Sequence, residues 1–366
     1  MKYFISAFIF SVLAVASAQG ESHQSTELNQ FPGLIPRVRI SGPLDFCGEA
    51  VELENQDVRE RLEKELLLTL WDQPQVALWI KRSGRYMPII EKMLREQDMP
   101  EDLKYVAIIE SALRPHAGSR KGAIGFWQFM EATGLNYGLV INSEKDQRRN
   151  IFYSTQAAIA YFRELFDLLG SWTLSAAAYN MGEQGLQSEI LAQQTDDYYN
   201  LYLPLETQRY VFRIIAAKIV LSDQDTYGFQ FTQEDLYPPL QFERLKLHCF
   251  QETPISLAAQ AANTSFKKIK DLNPEIRGHF LAAGSHRLLI PKGAADGFQE
   301  RFKLLVERWK AENKERVYVV KEGDNLSIIA ERFNVPLPAL IIWNRLEKNK
   351  HIYPGDRLVI YPKNTE

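Results

Sequence analysis

The sequence predicts a multidomain protein, with a mainly α domain in the middle and one or two small α+β modules of βααβ layout behind it. Three observations carry this reading. A chain of 366 residues is too long for one ordinary hydrophobic core. Helical periodicity dominates from Val58 to about Ser222, with few strand signals. Beyond it a pattern repeats: Ala259, Asn273, Gly284 and Pro291 recur 71 positions on as Ala330, Asn344, Gly355 and Pro362. Hydrophobic residues at 45% and charged residues at 24% are ordinary for a folded chain. A net charge of −3 gives no global attraction to nucleic acid or to an anionic membrane.

The chain opens with Lys2, an apolar run from Tyr3 to Val15, and the small residues Ala16-Ser17-Ala18. That order reads as a signal peptide over residues 1–18, cut after Ala18, and predicts export. No Cys stands at the cut, and no later segment reaches about 18 uninterrupted apolar residues, so no firm membrane anchor is expected. Residues 19–57, punctuated by Pro32, Gly33, Pro36, Gly42 and Pro43, read as an extended arm.

Residues 58–225 form the expected α domain. Val58, Leu62, Leu66 and Leu70 recur every fourth position, the stripe of a helix that buries one face. Further helices are expected over 87–95, 101–113, 155–169, 172–180 and 210–221. The second of these is opened by Pro100-Glu101-Asp102 and closed before Pro115. The first copy of the repeat spans 245–292 and the second 317–362, each an apolar helical stretch, an Asn, a Gly turn and a short apolar strand. The charged run 298–316 reads as a solvated helical linker between them. Cys47 and Cys249 are the two cysteines; they could pair in an oxidising compartment or stand as separate buried thiols. The six His residues are scattered without ligand spacing, so neither metal nor other cofactor is expected.

Chemistry concentrates around Glu110. It ends the apolar stretch Leu103 to Ile109, and a carboxyl in apolar surroundings has its ionised form disfavoured, as a general acid requires. Residues 118–130 follow, with Gly118, Gly122 and Gly125 closely spaced and then Trp127, Gln128 and Met130. Such glycines let backbone approach a ligand, and the side chains after them suit an N-acetyl sugar. The Gly-Lys-Ser/Thr ending of a phosphate loop is missing.

Several separated motifs in order then make a resemblance. Glu110-Ser111-Ala112-Leu113, the run Gly122 to Met130, Ala178-Tyr179-Asn180 and Leu203-Pro204-Leu205-Glu206-Thr207-Gln208-Arg209-Tyr210-Val211 resemble the lytic murein transglycosylases with a goose-lysozyme-like catalytic domain. The flanks Asp146 to Arg149 and Ser154 to Ala158 are most similar to the subgroup of membrane-bound lytic murein transglycosylase D. The C-terminal copies resemble LysM modules, the second through Tyr318 to Leu326 with its Gly323-Asp324 opening. The first lacks that opening, having Glu252-Thr253-Pro254.

The resemblance implies a lysozyme-like catalytic domain acting on peptidoglycan glycan strands in the periplasm of a Gram-negative bacterium, associated with the cell wall. It implies that Glu110 is the catalytic acid and then the base on the muramyl C6 hydroxyl, giving a 1,6-anhydro product. Ser119, Gln128 and Met130 would line the subsites around the N-acetyl group, and Tyr179 and Asn180 would lie across the cleft. Glu206 and Tyr210 would hold the far wall through hydrogen bonds. In the second LysM module, Gly323, Asp324, Asn344 and Gly355 would bind glycan. Ordinary glycosidases use two carboxylates. The residues offer Asp146, Glu183 and Glu206 as seconds, with Asp146 better suited to pairing with Arg148 or Arg149. A muramidase-type hydrolase and a non-catalytic wall-binding protein remain the alternatives.

Overall fold

A computed structural model describes residues 38–313, 317–344, 346 and 351–360. The signal peptide expected over 1–18, the start of the arm and Pro362 lie outside the described residues. The buried hydrophobic residues form three separate cores.

The first core is built by helices. α1 (Gln56–Trp71) starts where the Asn55 side chain accepts the Asp57 N–H, and it buries Val58, Leu62, Leu66 and Leu70 as the periodicity predicts. α2 (Gln73–Arg95) follows almost directly. A 3-10 turn at Glu101–Leu103 leads into α3 (Lys104–Ser111), which stops where Ala112 turns left-handed. After the short α4 (Glu131–Asn136) come α5 (Ile151–Leu169), capped by Asn150 and closed by Gly170, and α6 (Trp172–Met181), capped by Ser171. α7 (Glu183–Gln193) and α8 (Leu205–Ser222) complete the domain. α8 packs along α1, and there the buried Glu65 accepts from Arg209 Nε at 2.6 Å and Nη2 at 2.9 Å.

The described part of the arm is not extended. β1 (Asp45–Phe46) and β2 (Glu49–Ala50) form a hairpin whose two-residue turn, Cys47-Gly48, has positive φ at both positions. That turn matches strand twist and reverses the chain at once. Phe46 is fully buried in the helical core.

The first small module pairs β3 (Phe242–Cys249) antiparallel with β6 (Gly284–Pro291), and β4 (Thr253–Pro254) with β5 (Phe280–Leu281). Helices α9 (Ile255–Ala261) and α10 (Phe266–Leu272) lie between. α11 (Phe298–Asn313) is no solvated linker: Phe298 and Phe302, one turn apart, enter this module's core, and Arg301 donates to the Ala261 carbonyl. The second module repeats the plan with β7 (Val317–Val319), α12 (Leu326–Arg332), α13 (Leu337–Trp343) and β8 (Arg357–Val359).

The first module docks on the α domain through backbone pairing. Asp146 N–H donates to Glu275 O at 2.8 Å, Arg277 N–H donates to Glu144 O at 2.7 Å, and Phe242 meets Phe152 edge-on. Cys47 sits against the first core and Cys249 in the second, and both are free thiols, so the pairing left open by the sequence is not made. Among the described residues no single helix is long and apolar enough to cross a membrane, and no His/Cys/Asp/Glu group is arranged to hold a metal ion.

Candidate active site

Glu110 is the penultimate residue of α3, and the apolar residues before it bury the rest of that helix. Its carboxyl accepts the hydroxyl of Tyr210, which comes from the second turn of α8. Burial pushes the Glu110 pKa up to about 7. The Tyr210 hydrogen bond and the Arg213 charge oppose the rise, and the charge of Glu206 adds to it. The outcome is a carboxyl that exchanges its proton near neutral pH.

Tyr179 and Asn180, at the end of α6, complete this side. Tyr179 donates to the Trp127 carbonyl at 2.7 Å, and its ring stacks on Phe162 with centroids 4.6 Å apart. Burial and the charge of Glu110 raise the Tyr179 pKa far above the ordinary tyrosine range, so the hydroxyl stays protonated. Asn180 Oδ1 accepts the Thr207 hydroxyl at 2.9 Å, joining the end of α6 to the start of α8.

The glycine-rich segment forms a small flap on the other side. Gly118 bridges Ile124, and Ile124 bridges Phe129. Ser119 Oγ accepts the Ala123 N–H at 3.0 Å, leaving its own hydrogen to donate outward. Gln128, in a left-handed conformation, commits its amide nitrogen to Gly125 O at 2.8 Å and Ala117 O at 3.2 Å, so its carbonyl is the group left for a ligand. Met130 is 43% exposed just before α4. A buried ion pair anchors the flap: Arg148 forks onto Asp146 at 2.8 and 2.9 Å and also donates to Gly122 O and Phe129 O. Gly125 has φ +86, and a Cβ there would lie 1.8 Å from Arg148 O.

These positions sort the carboxylates. Asp146 is spent on Arg148, and Glu183 accepts the Tyr161 hydroxyl at 3.0 Å. Glu206 is exposed in the first turn of α8 rather than holding a wall by hydrogen bonds, because the helix turns Thr207 and Tyr210 inward instead. Thr207 is the group that sequence reading missed. Its spacing of three before Tyr210 puts both on one helix face and was the available signal. Trp127 is no sugar platform: it is buried and donates to Thr155 Oγ1 at 3.0 Å.

The four positions expected to bind glycan in the second module also help to build that module. Asn344 donates to Leu340 O and Val359 O and accepts the Val359 N–H, tying a helix end to a strand. Asn273 makes the same three bonds in the first module, to Ile269 and Leu289. Asp324 accepts the Tyr318 hydroxyl, the Lys321 N–H and Arg332. Gly323 and Gly355 supply positive-φ turns. The side-chain polar atoms of Asp324 and Asn344 are thus engaged within the fold.

Comparison with known proteins adds the following. Residues 87–202 match the model of the transglycosylase SLT domain, 318–360 that of the LysM domain, and 250–305 that of the LysM-like domain of the lytic transglycosylase MltD. Glu206 and Tyr210 lie just past the first match. The chain is 31% identical over 363 residues to membrane-bound lytic murein transglycosylase D of Escherichia coli, covering 94% of this chain and 78% of that protein. The same figures hold for the protein of that name from a second Escherichia coli strain. A putative tributyltin chloride resistance protein of an Alteromonas species is 32% identical over 110 residues, covering 29% of this chain and 52% of that one.

Proposed function

The chain belongs to the lytic murein transglycosylases, as an SLT lysozyme-like domain followed by LysM modules, and on that premise we propose that Glu110 alone serves as acid and then as base in cutting the glycan strand. The enzyme is thus a lytic transglycosylase whose domains bind peptidoglycan. Protonated Glu110 gives its proton to the oxygen of the β-1,4 bond between N-acetylmuramic acid and N-acetylglucosamine, and the C1–O bond breaks. The carboxylate left behind then takes the proton of the muramyl C6 hydroxyl as that oxygen closes onto C1. A 1,6-anhydro sugar leaves, no water is consumed, and Glu110 is protonated again.

The observation that carries this reading is the carboxyl with a pKa of about 7 under the Tyr210 hydroxyl. Such a group gives and takes a proton with comparable ease. Helix ends support it as well. α3 and α6 both turn their C-termini toward the site, and the negative end of a helix dipole favours the cationic character of an oxocarbenium-like state. Ser119, the Gln128 carbonyl and Met130 line the acetamido side, with Tyr179, Asn180 and Tyr210 opposite and Glu206 at the rim.

We further propose the divisions drawn from the sequence: export into the periplasm by residues 1–18, a catalytic domain over 58–225, and targeting to glycan by the module at 317–362. The deciding experiment is digestion of purified peptidoglycan in 18O-water with mass analysis of the products. Anhydromuropeptides free of 18O, lost in Glu110→Gln, are expected. Reducing ends carrying 18O would establish a muramidase-type hydrolase instead. For targeting, deletion of residues 315–366 should weaken sedimentation with insoluble peptidoglycan, and undiminished sedimentation would refute that role.

A further inference from the structure

We propose that the β1–β2 hairpin is a clamp that fixes the three site-bearing helices relative to one another, with Glu49 as its principal positioning residue; this rests on the reading of Glu110, Tyr179 and Tyr210 as the working groups.

The hairpin touches each of these helices at the end away from the site. On α6, the Glu49 carboxylate accepts the N–H groups of Trp172 and, at 2.9 Å, of Thr173, together with the Ser171 hydroxyl at 3.1 Å. A side chain from a distant segment thus satisfies the free donors of a helix N-terminus, where a negative charge is also favoured by the dipole. On α3, the Cys47 N–H donates to Asp102 Oδ2 at 2.8 Å, in the 3-10 turn that opens the helix. On α8, Lys218 reaches the Asp45 carboxylate at 3.0 Å, the Asp45 carbonyl at 2.8 Å and Asp102 at 2.7 Å, so one ammonium joins hairpin, α3 and α8. Phe46, fully buried, holds the hairpin in the core between these contacts.

The spacing along the three helices is matched. Asp102 precedes Glu110 by eight residues, Trp172 precedes Tyr179 by seven, and Lys218 follows Tyr210 by eight. At 1.5 Å per residue the clamp grips each helix roughly 10–12 Å, or two turns, from its working group. The helices meet again at the site through Tyr210–Glu110 and Thr207–Asn180. They are therefore tied at both ends, and a tilt at the clamp is carried to the site because a helix of two turns is stiff. The hairpin's bonds to these helices fall at Asp102, Trp172 to Thr173 and Lys218, away from Glu110, Tyr179 and Tyr210, so it acts on geometry rather than on substrate.

The test compares Glu49→Gln with wild type on soluble glycan strands freed of cross-links, measuring anhydro-product release below the melting transition of each variant. Gln keeps the shape but loses the charge and one accepting oxygen. The expected result is a fall in kcat of about tenfold with KM within about twofold, short of the ~100-fold that a full 1 Å misplacement costs. Adding Ser171→Asp returns a negative charge to the N-cap that Ser171 already forms on α6, without returning the Glu49 carboxylate to the hairpin. The proposal expects the double variant to keep the low kcat. Wild-type kcat in folded Glu49→Gln, or kcat returning in the double variant, would overturn it. Should Glu49→Gln fail to fold, Asp45→Asn, which takes the charge from the half-exposed partner of Lys218 and keeps an oxygen for the Gly48 N–H, is read by the same kcat-to-KM comparison. Glu110→Gln run in parallel keeps the two readings apart: full turnover there sinks the assignment of the site and leaves the hairpin result to stand by itself.

Discussion

Replacing Tyr210 by Phe removes one oxygen from the site and leaves the ring that fills the core. In the wild type that hydroxyl donates to the Glu110 carboxyl, and it is the largest influence holding the pKa down against burial. A hydrogen bond to an ionised group contributes about 1.5–3 kcal/mol, and one to a neutral group about 0.5–1.5. The difference, roughly 1.4 kcal/mol, favours the carboxylate by about one pKa unit. Without it the Glu110 pKa rises from about 7 toward about 8. On the proposed mechanism the first step needs the protonated acid, so the alkaline limb of kcat/KM should move up in pH with it. The absolute rate falls by severalfold, since the carboxyl loses the contact that fixes its orientation. The assay is initial anhydromuropeptide release between pH 5 and 9 under saturating and limiting substrate. An alkaline limb that stays in place or moves down would refute the reasoning, whatever happens to the rate.

Other expectations follow from the same geometry. Glu110 has a folded-state pKa above the ordinary 4.5, so the folded protein holds that proton more tightly; stability is full below about pH 4.5 and is lost as pH rises toward 7. Glu110→Gln should therefore be more stable than wild type at pH 8, by up to roughly 3 kcal/mol, and equal to it near pH 4 by thermal melting. Gly125→Ala places a Cβ on the Arg148 carbonyl and should displace the flap, lowering Tm and abolishing most turnover, while wild-type Tm would show that the flap yields freely. Asn273→Ala strands the Leu289 N–H and C=O inside the first module and should cost roughly 2–4 kcal/mol in denaturant unfolding; a loss under 1 kcal/mol would count against the tie.

The helices that were legible are those that bury a stripe; α4 and α7, which bury only Gly134 and Leu186, left no such pattern. The Val58-Leu62-Leu66-Leu70 row needed nothing but period to be read, and the structure buries all four. The hairpin was not legible. Two strands of two residues carry no periodicity, and its turn sequence, Cys47-Gly48, is not among the usual reversal signals. α11 misled for a related reason: Phe298 and Phe302 mark a buried face, but Lys, Glu and Arg around them dilute it to the look of a solvated helix. The repeat showed its anchors at a fixed offset, yet their meaning came from the fold. Asn273 and Asn344 recur because each amide closes the same three backbone bonds, a structural demand that a sequence comparison of two copies cannot tell from a binding one.

Glu110 marks the same boundary in the site. Its apolar approach could be read from Leu103 to Ile109, and with it the direction of its pKa. How far the pKa moves depends on Tyr210, which stands a hundred residues away, and on burial that no local pattern encodes. That dependence explains why the carboxyl needs an outside frame. On the proposed mechanism a lone acid–base group must keep both its proton affinity and its aim through two proton transfers, and each depends on a different helix. α8 sets the affinity through Tyr210. α6 carries Tyr179 and Asn180, proposed for the opposite wall. If either helix shifted independently, Glu110 would gain or lose ionisation without keeping its distance to the sugar. Holding α3, α6 and α8 from one hairpin at their far ends couples those two variables, which is why the Glu49 substitution should lower kcat without a compensating change in KM.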